Sequence, residues 1–183
     1  MTFDEYYTAA LRTLIPKGLS FDLNHSILGL TTEIGEFATL VKRNVIYGKP
    51  FDEAMLTHAR EELGDILWYV PCGMQALGTR ELFPLREVKS ELAGCVRVMV
   101  MALGRLTTKV SAFEVDAWTA GIVSEYGFIV GAVQRAAVLL NLGAMSDIYE
   151  GNIAKLRLRY PDKFTAELAE ARLDKGGADA RSS

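Results

Sequence analysis

Four carboxylates stand in two pairs of the same spacing. TTEIGEFATLVKR, residues 31–43, carries Glu33 and Glu36; EELGDILWYV, residues 61–70, carries Glu62 and Asp65. A separation of three puts both members of a pair on one face of a helix. Each pair lies among apolar residues: Ile27, Leu30, Ile34, Phe37 and Leu40 around the first, Leu63, Ile66 and Leu67 around the second. Between them YGKPF, residues 47–51, is a turn, because glycine permits unusual dihedrals and proline stops a helix before it. The two helices are then antiparallel neighbours, and the pairs face each other across one groove. Like charges held together repel one another and lose hydration. Divalent cations remove that problem. Hard oxygen ligands suit Mg²⁺, with Mn²⁺ as a substitute, whereas zinc usually brings His or Cys. A di-iron bundle uses Glu-x-x-His, and neither His25 nor His58 lies three residues after a glutamate. The rival reading is solvated helix charge. A single pair would not argue against it; two pairs on adjoining apolar helices favour a metal site.

The elements that must position these groups read as helices almost throughout. Residues 3–14 form a short amphipathic helix stopped near Pro16-Lys17-Gly18, and Asn24 caps a second that runs to about Val45. Asp52 caps a third, continuing through Trp68 to about Leu77 with a kink expected at Pro71. Residues 78–84 break the pattern. A fourth helix is predicted over 86–109, a fifth over 113–142, and a sixth from Ser146 to Tyr160-Pro161, followed by a charged amphipathic stretch to about Leu173. No run shows strand alternation. The fold class is therefore all-α, a helical bundle. We divide one domain over 1–175 into a carboxylate-bearing half (1–78), an extra hairpin (79–141) and a C-terminal helical segment (142–175), with a disordered tail at 176–183. The extra hairpin faintly echoes the first: ALGRLTTKV and LLNLGAM answer EIGEFATLV and MQALGT at a distance of about 65 to 69 residues. The echo lacks the carboxylates, since Ala102 and Arg105 stand opposite Glu33 and Glu36, and Gly127 and Val130 opposite Glu62 and Asp65.

Bulk composition agrees with a globular chain. Half of the 183 residues are apolar and the net charge is −3, which gives no general pull toward nucleic acid. Cys72 and Cys95 sit in apolar helical contexts and read as buried free thiols. MTFDEYY does not resemble a signal peptide. The most apolar stretch, 119–145, is interrupted by Glu125 and Arg135 and reads as a core helix rather than a membrane span. A cytoplasmic location without membrane or nucleic-acid partners is the expectation.

E-x-x-E followed some two dozen residues later by E-x-x-D resembles the signature of the all-α nucleoside triphosphate pyrophosphohydrolases, the MazG-like group. HSILGLTTEIGEFATLVKRNVIYGKPFD and EELGDILWYV look like its small members, and GNIAKLRLRYPDKF, residues 151–164, is similar to its C-terminal segment. The similarity covers about residues 20–78 and 142–165. The hairpin between is a departure, one that resembles the fused, degenerate second half of the related dimeric dUTPases. The resemblance implies a MazG-like bundle, a homo-oligomer with a dimer foremost, and Mg²⁺-dependent hydrolysis of an NTP or dNTP to the monophosphate and pyrophosphate. Glu33, Glu36, Glu62 and Asp65 would hold the metal. Many relatives have a further glutamate just before the first pair, suited to take a proton from water; Thr32 stands there and cannot serve. Glu36 or Glu61 would take over, and Glu61 reads equally as a solvated neighbour.

The same resemblance assigns Asn152 and Lys155 to phosphate or site contacts. Lys42, Arg43 and Lys49 either meet phosphates or are surface charges, and Arg159 and Tyr160 pin the last helix. Tyr69 and Trp68, four and three residues after Asp65, line a slot for the base or pack as plain core. His25 and Asn24 contact base or sugar, or cap the helix. Two other classes compete: a nucleotide sensor of the same fold that lost turnover, as Thr32 would suggest, and a helical assembly protein whose acidic groove is incidental.

Overall fold

The computed structural model describes residues 1–81, 87–111 and 115–160, the backbone alone for 115–118. Among the described residues the elements are helices α1 (Phe3–Ala10), α2 (Leu19–Val45), α3 (Glu53–Ala76), α4 (Leu92–Ser111), α5 (Val115–Leu139) and α6 (Met145–Arg159), with a 3₁₀ turn at Leu11–Thr13. No strand occurs among the described residues. The chain is all-α, as its periodicity requires. The expected stretch to Leu173, the tail at 176–183 and the Pro161–Phe164 end of the third motif block lie outside the described residues.

Local chemistry sets the helix ends. Thr2 and Glu5 form a reciprocal cap on α1, with Glu5 N donating to Thr2 Oγ1 at 3.3 Å and Thr2 N to Glu5 Oε2 at 2.7 Å. The start of α2 corrects the expected cap at Asn24: the helix begins at Leu19. Gly18 precedes it without a side-chain cap, and buried Asp22, inside the first turn, reaches back to accept from Lys17 N and Gly18 N at 3.1 Å, tying the incoming chain to the helix start. Asn24 instead donates to Ser20 O within the helix. Gly48 and Gly78, with φ of +64° and +67°, close α2 and α3 in the left-handed region. Asp52 caps α3 through Met55 N at 2.8 Å, and that helix runs on through Pro71 to Ala76. Residues 87–91 are not helical, so α4 begins at Leu92 rather than 86. Asn141, at φ +52°, ends α5 at Leu139, where Leu142 N reaches Ala137 O and Asn141 N reaches Val138 O. Ala144, not Ser146, precedes α6, and Asp147 Oδ2 accepts from its N–H at 2.8 Å.

Helices α2 and α3 pack as one hairpin and α4 and α5 as another; α2 lies on α4 and α3 on α5, giving a four-helix bundle. Helices α1 and α6 cover α3. Antiparallel pairing is visible residue by residue. Ser26 meets Tyr69, whereas Glu36 lies beside Glu62 and His58. In the second hairpin Lys109 meets Gly121 and Arg105 meets Glu125. The 119–139 stretch is long and apolar enough to cross a membrane by length and composition, and 67% of its apolar window is buried within the bundle. Cys72 and Cys95 are buried free thiols.

Two close approaches weld the hairpins. Ser26 Oγ donates to Tyr69 O at 2.7 Å and shares a hydrogen bond of 2.9 Å with the Tyr126 hydroxyl. That hydroxyl lies against Gly73, where a Cβ would stand 1.7 Å from it. Gly73→Ala should therefore cost about 1–3 kcal/mol through overpacking, read as a lower urea midpoint. An unchanged midpoint would mean that α5 does not approach α3 this closely.

Candidate metal and ligand site

The facing carboxylates come together where α2 crosses α3. Ligand atoms of Glu33, Glu62 and Asp65 all lie within 4.8 Å of one another, and so do those of Glu36, His58 and Glu62. Glu62 belongs to both groups and is only 4% exposed. All four residues singled out by spacing are thus brought together, with a fifth, His58, that the Glu-x-x-His test passed over. Its Nε2 lies 2.7 Å from Glu62 Oε1. The signal was present in the sequence: His58, Glu62 and Asp65 fall at i, i+4 and i+7, one continuous helix face.

Helix α6 closes the site from one side. Asn152 Nδ2 donates to Asp65 Oδ1 at 2.9 Å, and Lys155 Nζ makes a close ion pair with Asp65 Oδ2. Buried Asn152 is itself held by the Tyr6 hydroxyl, which donates to its Oδ1 at 2.9 Å. The approach needs Gly64, where a Cβ would stand 3.1 Å from Asn152 Cβ. Tyr6 stacks on Tyr149 at 4.5 Å between ring centres, so α1 braces α6.

Charge crowding is only partly relieved. Burial, then Asp65, Glu62 and Glu36, push the Glu33 carboxyl up to about 7. Burial, then Glu36 and Asp65, push Glu62 up to about 7, while Glu33 and Lys155 oppose. The two act as a pair that shares a proton near neutrality. This donor set fits a hard divalent cation: converging carboxylate oxygens, one of them from a buried glutamate, with more negative charge than Lys155 alone offsets.

Beside the cluster lies a cavity of about 980 Å³, with Glu33 and Asp65 in one part of its lining. His25, Trp68 and Tyr69 form an aromatic wall: the His25 ring lies edge-on to both others at 5.7 Å, and Trp68 and Tyr69 are 4.9 Å apart. Gly29 makes room for that wall, since its Cβ would fall 2.0 Å from the Tyr69 ring. Burial holds His25 below its ordinary value, so the ring is neutral at pH 7. Lys17, Phe21 and Arg159 also line the cavity, with Lys17 4.7 Å above the Phe21 ring.

The remaining sequence candidates divide. Asn24 lines the cavity. Glu61 is exposed and joins neither carboxylate group, as one step along a helix turns it away from Glu62. Lys42 and Lys49 are exposed, with no ion pair to the carboxylates; backbone atoms of Lys49 bond Arg43 and Asn44 across the turn. Lys17 and Arg159 were the cations that reasoning by motif undervalued. Lys17 lies in a linker, whose path no periodicity reveals; Arg159 follows Lys155 by four on the same face of α6. No family model matches the chain, and no curated protein or solved structure does so either.

Because Glu33 and Glu62 titrate higher in the folded chain than the ordinary 4.5, the folded state binds their proton more tightly. Stability from this source is full below pH 4.5 and is lost as pH rises through about 7. Metal-free protein should melt lower at pH 8 than at pH 5.5. Glu62→Gln should raise the pH 8 melting temperature by on the order of 3 °C and flatten the profile. A profile unchanged by the substitution would show that these carboxyls do not crowd.

Proposed function

We propose that the chain is a divalent-cation-dependent nucleoside triphosphate pyrophosphohydrolase of the MazG-like, all-α kind, releasing pyrophosphate and a nucleoside monophosphate. The observation that carries this reading is the junction of the carboxylate cluster with the aromatic-walled cavity. One end suits cations and phosphates, the other a planar base, and the volume is in the range of small-molecule sites. The quoted sequence motifs support the family, and the coincidence of their carboxylates in space supports the use of those residues.

Each group then has a task. Glu33, Glu36, Glu62 and Asp65 would hold the cation, which supplies charge neutralisation to the triphosphate oxygens and makes water more acidic. Asn152 and Lys155 fix the Asp65 carboxylate, so that its oxygens present one geometry. Lys17 and Arg159 meet phosphate oxygens from the cavity wall. Trp68, Tyr69 and neutral His25 hold the base by stacking and keep bulk water off that end.

Proton removal from the attacking water falls to Glu36. The single hydroxyl proton of Thr32 goes to Gly29 O at 2.8 Å, with Glu33 Oε1 at 3.2 Å as an alternative acceptor, and a hydroxyl is no base for water near neutral pH. Glu36 is exposed at the rim of the cluster, where its carboxylate would be open to water and could accept the proton.

The test is pyrophosphate release from a panel of canonical and modified dNTPs and NTPs, with Mg²⁺, with Mn²⁺ and with EDTA. Release should need the metal, and Glu36→Gln should lower kcat by about 10²–10⁴-fold. Trp68→Ala should raise KM more than it lowers kcat. Metal-dependent nucleotide binding without release would replace the enzyme by a sensor. Neither binding nor release would leave the acidic groove as an incidental feature of an assembly protein.

A further inference from the structure

We infer that His58 is a direct ligand of the cation held between α2 and α3, and that it turns the preference of this site from Mg²⁺ toward Mn²⁺. The inference rests on the cation-binding reading of the carboxylate cluster and names a donor and a metal preference which that reading does not contain. Glu36, His58 and Glu62 offer two carboxylates and one imidazole with ligand atoms within 4.8 Å of one another. Two ligands at about 2.1 Å from one octahedral ion stand about 3 Å apart when adjacent and about 4 Å apart when opposite. The His58 Nε2 to Glu62 Oε1 separation of 2.7 Å is that of an ion pair, whose proton a cation bound by both atoms would replace. Only a small outward movement would admit an ion between them.

The placement of His58 has little other use among the described residues. Its ring makes one polar contact there, to Glu62, and its side chain is 46% exposed. An exposed histidine is free to lose that contact, yet this one is aimed at the most buried carboxylate of the cluster. Ligation through Nε2 requires the tautomer with its proton on Nδ1, and water can satisfy that nitrogen on a half-exposed ring. The spacing of four on α3 places imidazole and carboxylate side by side without distortion of the helix.

The donor set shifts the balance between Mg²⁺ and Mn²⁺. Carboxylates alone suit Mg²⁺ and Mn²⁺ alike, whereas Mg²⁺ keeps oxygen ligands and first-row divalent ions accept imidazole. Glu62 is common to both groups, so His58 lies at the cluster end away from Asp65, which Asn152 and Lys155 already hold. One end of the cluster is all oxygen and the other is mixed nitrogen and oxygen.

The test uses the full chain, stripped with a chelator and titrated with Mn²⁺ or Mg²⁺ alone, followed by pulsed electron paramagnetic resonance of the Mn²⁺ form. The expected result is Mn²⁺ bound at least tenfold tighter than Mg²⁺, with a ¹⁴N coupling from a directly bound imidazole. His58→Gln keeps a hydrogen-bonding side chain beside Glu62; it should abolish the coupling and lower Mn²⁺ affinity by about 10–100-fold while Mg²⁺ affinity moves far less. The chain has two histidines, so His25→Gln is the control and should leave the coupling intact. Mn²⁺ bound without ¹⁴N coupling, its binding lost in Glu62→Gln, would overturn the role of His58 and leave the carboxylate site standing. A coupling that persists in His58→Gln would also overturn it. No binding of either ion by the unaltered chain would overturn the cation reading and the ligand role together.

Discussion

The rest of the structure is arranged around Asp65. It is the carboxylate that the protein compensates by itself, through Asn152 on one oxygen and Lys155 on the other. The pair is partly buried, so a partner removed from it leaves a charge that water reaches only in part. To bring those partners in, α6 must lie close on α3, which Gly64 permits and Tyr6 stabilises through Asn152. The position of α1 follows in turn, because Tyr6 also stacks on Tyr149 of α6. One charged residue thereby specifies where two peripheral helices sit. Among the described residues Glu33 and Glu62 have no lysine or arginine partner, Thr32 meeting the first and His58 the second, and both are driven toward the protonated state.

The two hairpins resolve buried charge in opposite ways. In α4 and α5, Glu125 is buried, which alone would raise its carboxyl, but hydrogen bonds from Arg105 at 2.9 Å and Lys109 at 2.5 Å hold it below the ordinary value. Its charge is cancelled within the chain. In α2 and α3, several carboxylates converge and one lysine answers them. A bundle selected for stability alone would treat both sites like the first. The second hairpin does carry an arginine where the echo of the first places Glu36, as the weak repeat in the sequence suggested. Its buried Glu125, however, does not fall at an echoed carboxylate position.

The helices, the turn at 47–51 and the facing of the two carboxylate pairs were legible in the sequence because periodicity and spacing within a helix are local properties. The start of α2 was not legible, because Gly18 offers no capping side chain and the entry is fixed instead by Asp22, which reaches back from inside the first turn to Lys17 N and Gly18 N. His58 was passed over because the test applied to it was a motif test for another metal. Its real signal was geometric, a place one turn before Glu62. Asn152 and Lys155 were singled out only by resemblance, as phosphate or site contacts, and their pairing with Asp65 was not foreseen. Nothing local in residues 145–159 says that Asn152 and Lys155 turn toward α3, since the docking of α6 depends on Gly64 and Tyr6, far away in the chain. Lys17 was least legible of all, lying in a linker without period.

The site also contains a ruler. Along α3, Asp65 is followed after three and four residues by Trp68 and Tyr69, so the cation end and the aromatic wall are about one helical turn apart, on the order of 5 Å. Along α2, Glu33 and His25 are separated by eight residues, on the order of 12 Å of helix, with Gly29 midway. Antiparallel packing makes these two scales run together, and Tyr69 lies over Gly29 because no side chain occupies that space. The proposed nucleotide carries both parts, a polyanion and a planar ring on a short, fixed connection. Free phosphate would fill only the charged end, and a lone aromatic ring only the other. The four-residue step on α3 and the eight-residue step on α2 would favour a ligand that has both parts over either part alone, as the proposed hydrolysis of an intact nucleotide would require.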